Sequence, residues 1–178
     1  KIVAYFEFDP KASQELEVKV ALSGVSTAGA LKNLQAEAAS AGFDELASRA
    51  SNTWNKALSV IEANGNDDQL AMLYTSLYHT MINPCVYTDV DGQYRGIDQN
   101  IHMADGFTNY TVFSVWDTYR ALHPLFNIIN RQVNTDIAKS MMKHAEQSVH
   151  KILPIWSHMA NENWCMIGYH SVSALADA

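Results

Sequence analysis

The residues best suited to chemistry stand together in Trp116-Asp117-Thr118-Tyr119-Arg120, with His123-Pro124 just behind them. An indole beside a carboxylate suits a sugar. The ring packs on the apolar face of a pyranose while the carboxylate accepts hydrogen bonds from two hydroxyls. The same residues have a plainer reading, in which Asp117 caps the helix that follows and Arg120, three positions on, neutralises it. On spacing alone the cap is the better supported of the two.

The other clusters promise less. Asp89, Asp91, Asp98 and Asp105 raise the question of calcium, but an EF-hand loop needs glycine at its sixth position and a bidentate glutamate at its twelfth. Counted from Asp89, Gly92 comes at the fourth and no glutamate stands at the twelfth, so the acids read as solvated groups around a hairpin turn. The histidines include no His-Glu-x-x-His spacing, and His144 and His150 fall on different faces of one helix. His170 follows the glycine of Met166-Ile167-Gly168-Tyr169-His170-Ser171, where a capping or core role is the ordinary one. No Gly-x-Ser-x-Gly elbow surrounds Ser171, and no glycine-rich phosphate loop occurs. Cys85 and Cys165 are too few for a cysteine zinc site and read as two buried thiols or one disulfide.

The elements that must position these groups change character along the chain. In Leu16-Glu17-Val18-Lys19-Val20-Ala21-Leu22 the apolar residues fall on every second position, which predicts a strand. The run from Ile2 to Phe8 predicts another, with Asp9-Pro10 as the turn between them. Two strands are marginal in water, so a larger sheet is expected to hold them. Thr27 then opens a helix over residues 28–40. Phe43, Leu46, Ala47, Ala50, Trp54, Leu58 and Ile61 make one apolar stripe, which Asn64-Gly65-Asn66 ends. Asp67-Asp68 caps the next helix, striped by Leu70, Leu73, Tyr74, Leu77, Tyr78 and Met81. Asp91-Gly92, between residues 87–90 and 93–95, predicts a hairpin. Residues 96–111 read as a long loop, and helices return at 117–130, at 135–150 behind an Asn134-Thr135 cap, and from His170 onward.

Composition bounds the rest. The chain is 48% hydrophobic and 17% charged, which is globular and not disordered. A formal net charge of -7, with Lys and Arg scattered singly, gives no footprint for nucleic acid or anionic membrane. No apolar run approaches the roughly 20 residues of a membrane span. The chain opens at Lys1 without methionine and stops at Ala178 inside an amphipathic stretch, which predicts a part of a larger protein.

Several stretches, taken in order, resemble the bacterial α-mannosidases of glycoside hydrolase family 92. They are Leu22-Ser23-Gly24-Val25-Ser26 with Ala30-Leu31-Lys32-Asn33-Leu34, Leu77-Tyr78-His79-Thr80-Met81, and Tyr94-Arg95-Gly96. Further on come Tyr110 through Arg120 with His123-Pro124-Leu125, and Cys165 through Ser171 with Asp177-Ala178. Between residues 155 and 164 the chain departs from that pattern, with Trp156-Ser157-His158-Met159 more apolar than expected.

The resemblance implies a fold that is mainly α with a small β part. Residues 1–26 would be the last strands of an N-terminal β-sandwich, 27–66 linker helices, and 67–178 the first part of an α/α toroid. It implies a parent enzyme, exported to the periplasm or cell surface, that releases terminal α-linked mannose with inversion and depends on calcium. Its partners would be mannose-containing glycans and the remainder of the enzyme or another chain. Trp116 and Asp117 would contact the terminal mannose, with Arg120 and His170 nearby. The acid, the base and the calcium ligands belong to later helices, and nothing in this chain matches them. The alternative is a carbohydrate-binding or structural helical module that stacks sugars on Trp116 and Trp164 without catalysis. A native mass of several hundred residues would separate the enzyme from the module. The resemblance also predicts an unfinished helical ring, in which Trp54, Leu58, Tyr74, Leu77 and Phe126 cannot all find partners and one apolar face stays bare.

Overall fold

The computed structural model describes residues 3–9, 11 and 15–178. Three helices come first: α1 Thr27–Glu37, α2 Phe43–Leu58 and α3 Asp67–Thr80. Ser26, not Thr27, caps α1, its hydroxyl accepting from Gly29 N at 3.0 Å. The Lys19 ammonium donates to the carbonyls of Ala38, Ala39 and Ala41 at 3.0, 3.3 and 2.6 Å, satisfying acceptors that the helix end leaves open. Asn66 closes a reciprocal capping box with Gln69 at the start of α3, so the cap lies one residue before the expected Asp67-Asp68. α2 packs on α3 through Trp54 and Tyr78, whose ring centroids are 4.5 Å apart.

Seven short strands and four helices follow. The strands are β1 Cys85–Val86, β2 Gln93–Arg95, β3 Ile101–Met103, β4 Tyr110–Thr111, β5 Phe113–Ser114, β6 Trp156–His158 and β7 Asn161–Glu162. The helices are α4 Val115–Thr118, α5 Leu122–Ile129, α6 Arg131–Gln147 and α7 Ser171–Asp177. All pairings are antiparallel: β1 with β4, β2 with β3, and β5–β6–β7 as one sheet with Phe113 opposite Ser157 and Ser114 opposite Trp156.

The turn at Asp91-Gly92 forms, with Gly92 at φ +85°, but its partner differs from expectation. Residues 87–90 make no strand, and β2 pairs forward with β3 inside the stretch expected to be loop. Asp89 keeps one backbone bond across the turn, its N–H donating to Gln93 O at 2.8 Å, while its carboxylate accepts from Ser23 and Asn33 at 2.6 and 2.9 Å and ties the segment to the N-terminal residues. Arg95 adds to that junction, donating to Gly24 O at 2.7 Å and Val25 O at 3.0 Å.

The strands expected before residue 26 do not form among the described residues. Residues 16–23 join no strand ladder, with Leu16, Val18, Val20 and Leu22 59–81% exposed. An alternating segment becomes a strand only when a second backbone pairs with it, and none does so here. Ile2 and Pro10 lie outside the described residues. Apolar side chains stay bare through the described part of this N-terminal segment, where Val3, Tyr5, Phe6 and Phe8 are exposed as well. Of the five residues not all expected to find partners, Leu77 and Phe126 are buried and Trp54, Leu58 and Tyr74 half-buried. Trp54 lies in a groove of about 310 Å³ shared with Met81, Val86, Phe126 and Val133.

The core gathers Phe113, Val115, Phe126, Ile137, Met141 and Ala174 from β5, α4, α5, α6 and α7. α6 serves it with one face, Asn134, Ile137, Met141 and His144, at helical spacing. That helix starts at Arg131, so Asn134 is an interior residue and not the expected cap. Cys85 and Cys165 are both free thiols. Among the described residues no helix is long and apolar enough to cross a membrane.

Candidate functional site

The site begins where β5 runs into the single turn of α4. Phe113 and Val115 are buried at 4% and 1% exposure, which fixes that turn in the core and leaves Trp116 and Asp117 facing outward. Ser114, at the N-cap position, makes no capping bond. Its hydroxyl donates instead to Asp117 Oδ2 at 2.5 Å, while its oxygen accepts from the indole Nε1 of Trp156 at 2.7 Å. Asp117 is therefore a member of the first turn, held from the side, and not the helix cap that spacing suggested. Its other oxygen accepts no hydrogen bond among the described residues.

Arg120 does not neutralise Asp117. Its guanidinium lies over the rings of Trp116 and Tyr119, 5.1 and 5.3 Å from their centroids. Tyr119 in turn stacks on His170, with centroids 4.1 Å apart and planes 8° from parallel. His170 stands at the N-cap position of α7 and makes no capping bond. Gly168, at φ +85°, passes beneath the imidazole: a Cβ there would fall 2.5 Å from His170 Nε2. The four residues singled out in the sequence thus share one surface, Trp116, Arg120 and His170 in a stack completed by Tyr119 and Asp117 beside it.

Two polar lines hold this surface from behind. His123, 1% exposed, lies between Thr118 Oγ1 at 3.0 Å and Asn134 Oδ1 at 3.0 Å. A neutral imidazole with its proton on Nδ1 donates to Asn134 and accepts from Thr118. Asn134 Nδ2 continues to Asn127 Oδ1 at 2.6 Å, and Asn127 Nδ2 to Asp177 O at 2.7 Å, so the line links α4, α5, α6 and α7. Burial holds the His123 pKa below its ordinary value, against the opposing pull of Asn134.

The second line centres on Glu162, whose side chain is 7% exposed. Its carboxylate accepts from the backbone N–H groups of Ile155, Trp156 and Trp164 at 3.0, 2.9 and 3.1 Å. His144 Nε2 lies 3.9 Å from that carboxylate and 3.1 Å from Ser157 Oγ. Burial lowers the His144 pKa, and the Glu162 charge pulls it back upward. Between them Glu162 and His144 fix the β6–β7 hairpin whose Trp156 reaches Ser114. The hairpin turn itself places both Met159 and Ala160 at positive φ, 45° and 62°.

Sequence reasoning missed Ser114, Trp156 and Glu162. Glu162 carried a usable signal, since no other Asp, Glu, Lys or Arg occurs between Lys151 and Asp177. Ser114 carried a weaker one, a lone hydroxyl between two core residues.

A cation finds no place among these groups. Among the described residues no three His, Cys, Asp or Glu side chains converge to hold a metal. Asp89 is committed to Ser23 and Asn33, Asp91 to Lys32 and Gln93, and Asp98 to Asn100 and His102. Asp98 is held below the usual carboxylate range because the bonds from His102 and Asn100 outweigh its burial. These residues do not fit a calcium cage.

A mainly helical frame with small antiparallel sheets carries this aromatic–carboxylate surface. Residues 29–178 match the glycosyl hydrolase family 92 catalytic domain, and the chain belongs to that family. Over 87% of its length it superposes on the family GH92 α-mannosidase BT3965 from Bacteroides thetaiotaomicron at 52% identity and a TM-score of 0.85, covering 21% of that chain. The same protein in complex with mannoimidazole gives a TM-score of 0.84 at 52% identity, over 87% of this chain and 20% of that one. The family GH92 inverting mannosidase BT2199 from Bacteroides thetaiotaomicron VPI-5482 is 32% identical, with a TM-score of 0.80 over 87% of this chain and 21% of that chain. The chain spans about one fifth of the length of these solved structures. No curated protein matches it.

Proposed function

We propose that this chain is a segment of a bacterial glycoside hydrolase that releases terminal α-linked mannose, and that its Trp116–Asp117 turn contacts the departing sugar. The observation that carries the reading is the exposed Asp117 carboxylate with one oxygen uncommitted, beside the Trp116 ring. Such a pair accepts from vicinal hydroxyls while the ring covers an apolar sugar face. Arg120 and His170 border the same surface. The likeness to α-mannosidases, one of them in complex with mannoimidazole, supports mannose as the sugar.

The finer points rest on family membership. Inversion needs one carboxylic acid on the leaving oxygen and one carboxylate activating water across the ring. Those two groups and the calcium ligands would come from residues beyond this chain, as would the rest of the toroid. In that arrangement residues 1–26 complete a β-sandwich, 27–66 link, and 67–178 open the toroid. Export to the periplasm or cell surface belongs to the same proposal, since glycans are met there.

The test uses the full-length protein on an aryl α-mannoside, with calcium and with a chelator. Turnover that the chelator abolishes, and β-mannose as the first anomer seen by NMR, are the expected results. Asp117→Ala should lower kcat/KM by about two orders of magnitude or more, the scale of a lost charge-assisted contact. It should lower stability by no more than about 1–2 kcal/mol. Near-native activity with collapsed stability would return Asp117 to a structural role.

A further inference from the structure

Asp117 is an exposed side chain on a one-turn helix, and left to itself its carboxylate would rotate freely between rotamers. Three features keep it from doing so. The Trp156 indole N–H can only donate, so it occupies an acceptor lobe of Ser114 Oγ at 2.7 Å. The single hydroxyl proton of Ser114 is then directed to Asp117 Oδ2, 2.5 Å away. Trp156 cannot drift either: Ser114 and Trp156 are register partners in the β5–β6 ladder, and the Trp156 backbone N–H is bound to buried Glu162 at 2.9 Å. The relay is thus anchored at a buried carboxylate and ends at one oxygen of an exposed one.

We infer that Ser114 and Trp156 are positioning residues that fix the orientation of the Asp117 carboxylate toward sugar hydroxyls. The inference rests on the reading of Asp117 as a sugar contact. A carboxylate already held in its binding rotamer loses less freedom when ligand arrives, and its second oxygen is aimed rather than averaged over directions. The plainer account is that the two bonds merely fasten β5 to β6. That account predicts a loss of stability that does not depend on Asp117.

The full-length enzyme separates the two accounts through Trp156→Phe, which keeps a ring and removes the N–H, and Ser114→Ala, which keeps the indole and removes the hydroxyl. Each is made alone and combined with Asp117→Ala, on an aryl α-mannoside with a good leaving group so that weak variants stay measurable. Each single change should lower kcat/KM by about tenfold, the scale of one charge-assisted hydrogen bond. Binding of mannoimidazole should weaken in parallel. In the Asp117→Ala background neither change should lower kcat/KM further. Equal fold-losses in the two backgrounds, or no loss from either single change, would overturn the relay and leave Asp117 as a sugar contact. Unchanged kcat/KM in Asp117→Ala alone would overturn the sugar contact, and the relay with it. If Trp156→Phe fails to fold, Ser114→Ala decides.

Discussion

The imidazole of His170 lies flat on the phenol ring of Tyr119, 4.1 Å between centroids and 8° from parallel. The two come from segments some fifty residues apart, so the stack joins the α4 turn to the entry of α7. It exists because Gly168 has no side chain in the space beneath the imidazole.

Gly168→Ala therefore meets two obstacles, a backbone at φ +85° and a Cβ 2.5 Å from His170 Nε2. We expect a loss of about 1–3 kcal/mol, the cost of a non-glycine residue in a strained backbone region. Any loss beyond that cost should vanish when His170→Ala is added, which removes the collision and leaves the backbone strain. Chemical denaturation of the four proteins in the cycle measures it, and full additivity would show that the ring is not what the glycine accommodates.

Stability should fall as pH drops below about 6.5, the ordinary histidine value. Burial lowers the folded-state pKa of His123 and of His144. In the interval between folded and unfolded values the unfolded chain binds the extra proton, so stability rises with pH across it and is fully regained above the unfolded value. Each histidine contributes a slope of at most about 1.4 kcal/mol per pH unit. His123→Gln, tested by Tm between pH 7 and pH 5, should flatten the profile. An unchanged slope would assign the acid sensitivity elsewhere.

Glu162→Gln should cost about 1.5–3 kcal/mol, the range for hydrogen bonds to charged groups. A carboxamide keeps one acceptor oxygen and turns the other into a donor facing backbone N–H groups, three of which now point at the carboxylate. Amide hydrogen exchange should quicken at Ile155, Trp156 and Trp164 before it does in α6. Uniform quickening across the chain would mean a global loss and no local clamp.

The helical stripes and the aromatic–carboxylate cluster were legible because each is local: Trp54 and Leu58 in α2, and Tyr74 and Leu77 in α3, recur at helical spacing, and Trp116, Asp117 and Arg120 are near neighbours in sequence. What was not legible depends on partners far along the chain. Asn134 looks like a cap by type and is a helix-interior residue because His123 and Asn127 need it. Gly92 marks its turn, but two- and three-residue strands carry no periodicity, so the pairing of β2 with β3 leaves no trace in the sequence. The alternation of Leu16, Val18, Val20 and Leu22 is a true strand pattern without a ladder. Ser114 as the link between Trp156 and Asp117 spans forty-two positions, and no window on the sequence contains it.

Gly24 and Tyr87 meet so closely that a Cβ on the glycine would fall 2.5 Å from the phenol ring, and Ser23, Asp89 and Arg95 fasten the same spot. The helices from Thr27 to Thr80 are therefore an eyelet, leaving and rejoining the chain at a fastened neck. Residues gained or lost between α2 and α3 change the eyelet's size and not the neck. Doubling such a connection costs only about 0.6 kcal/mol. Length can vary there at little cost to what lies beyond Cys85. From Phe113 to Asp177 the polar lines pass from element to element, and there a shift of one residue would break every link.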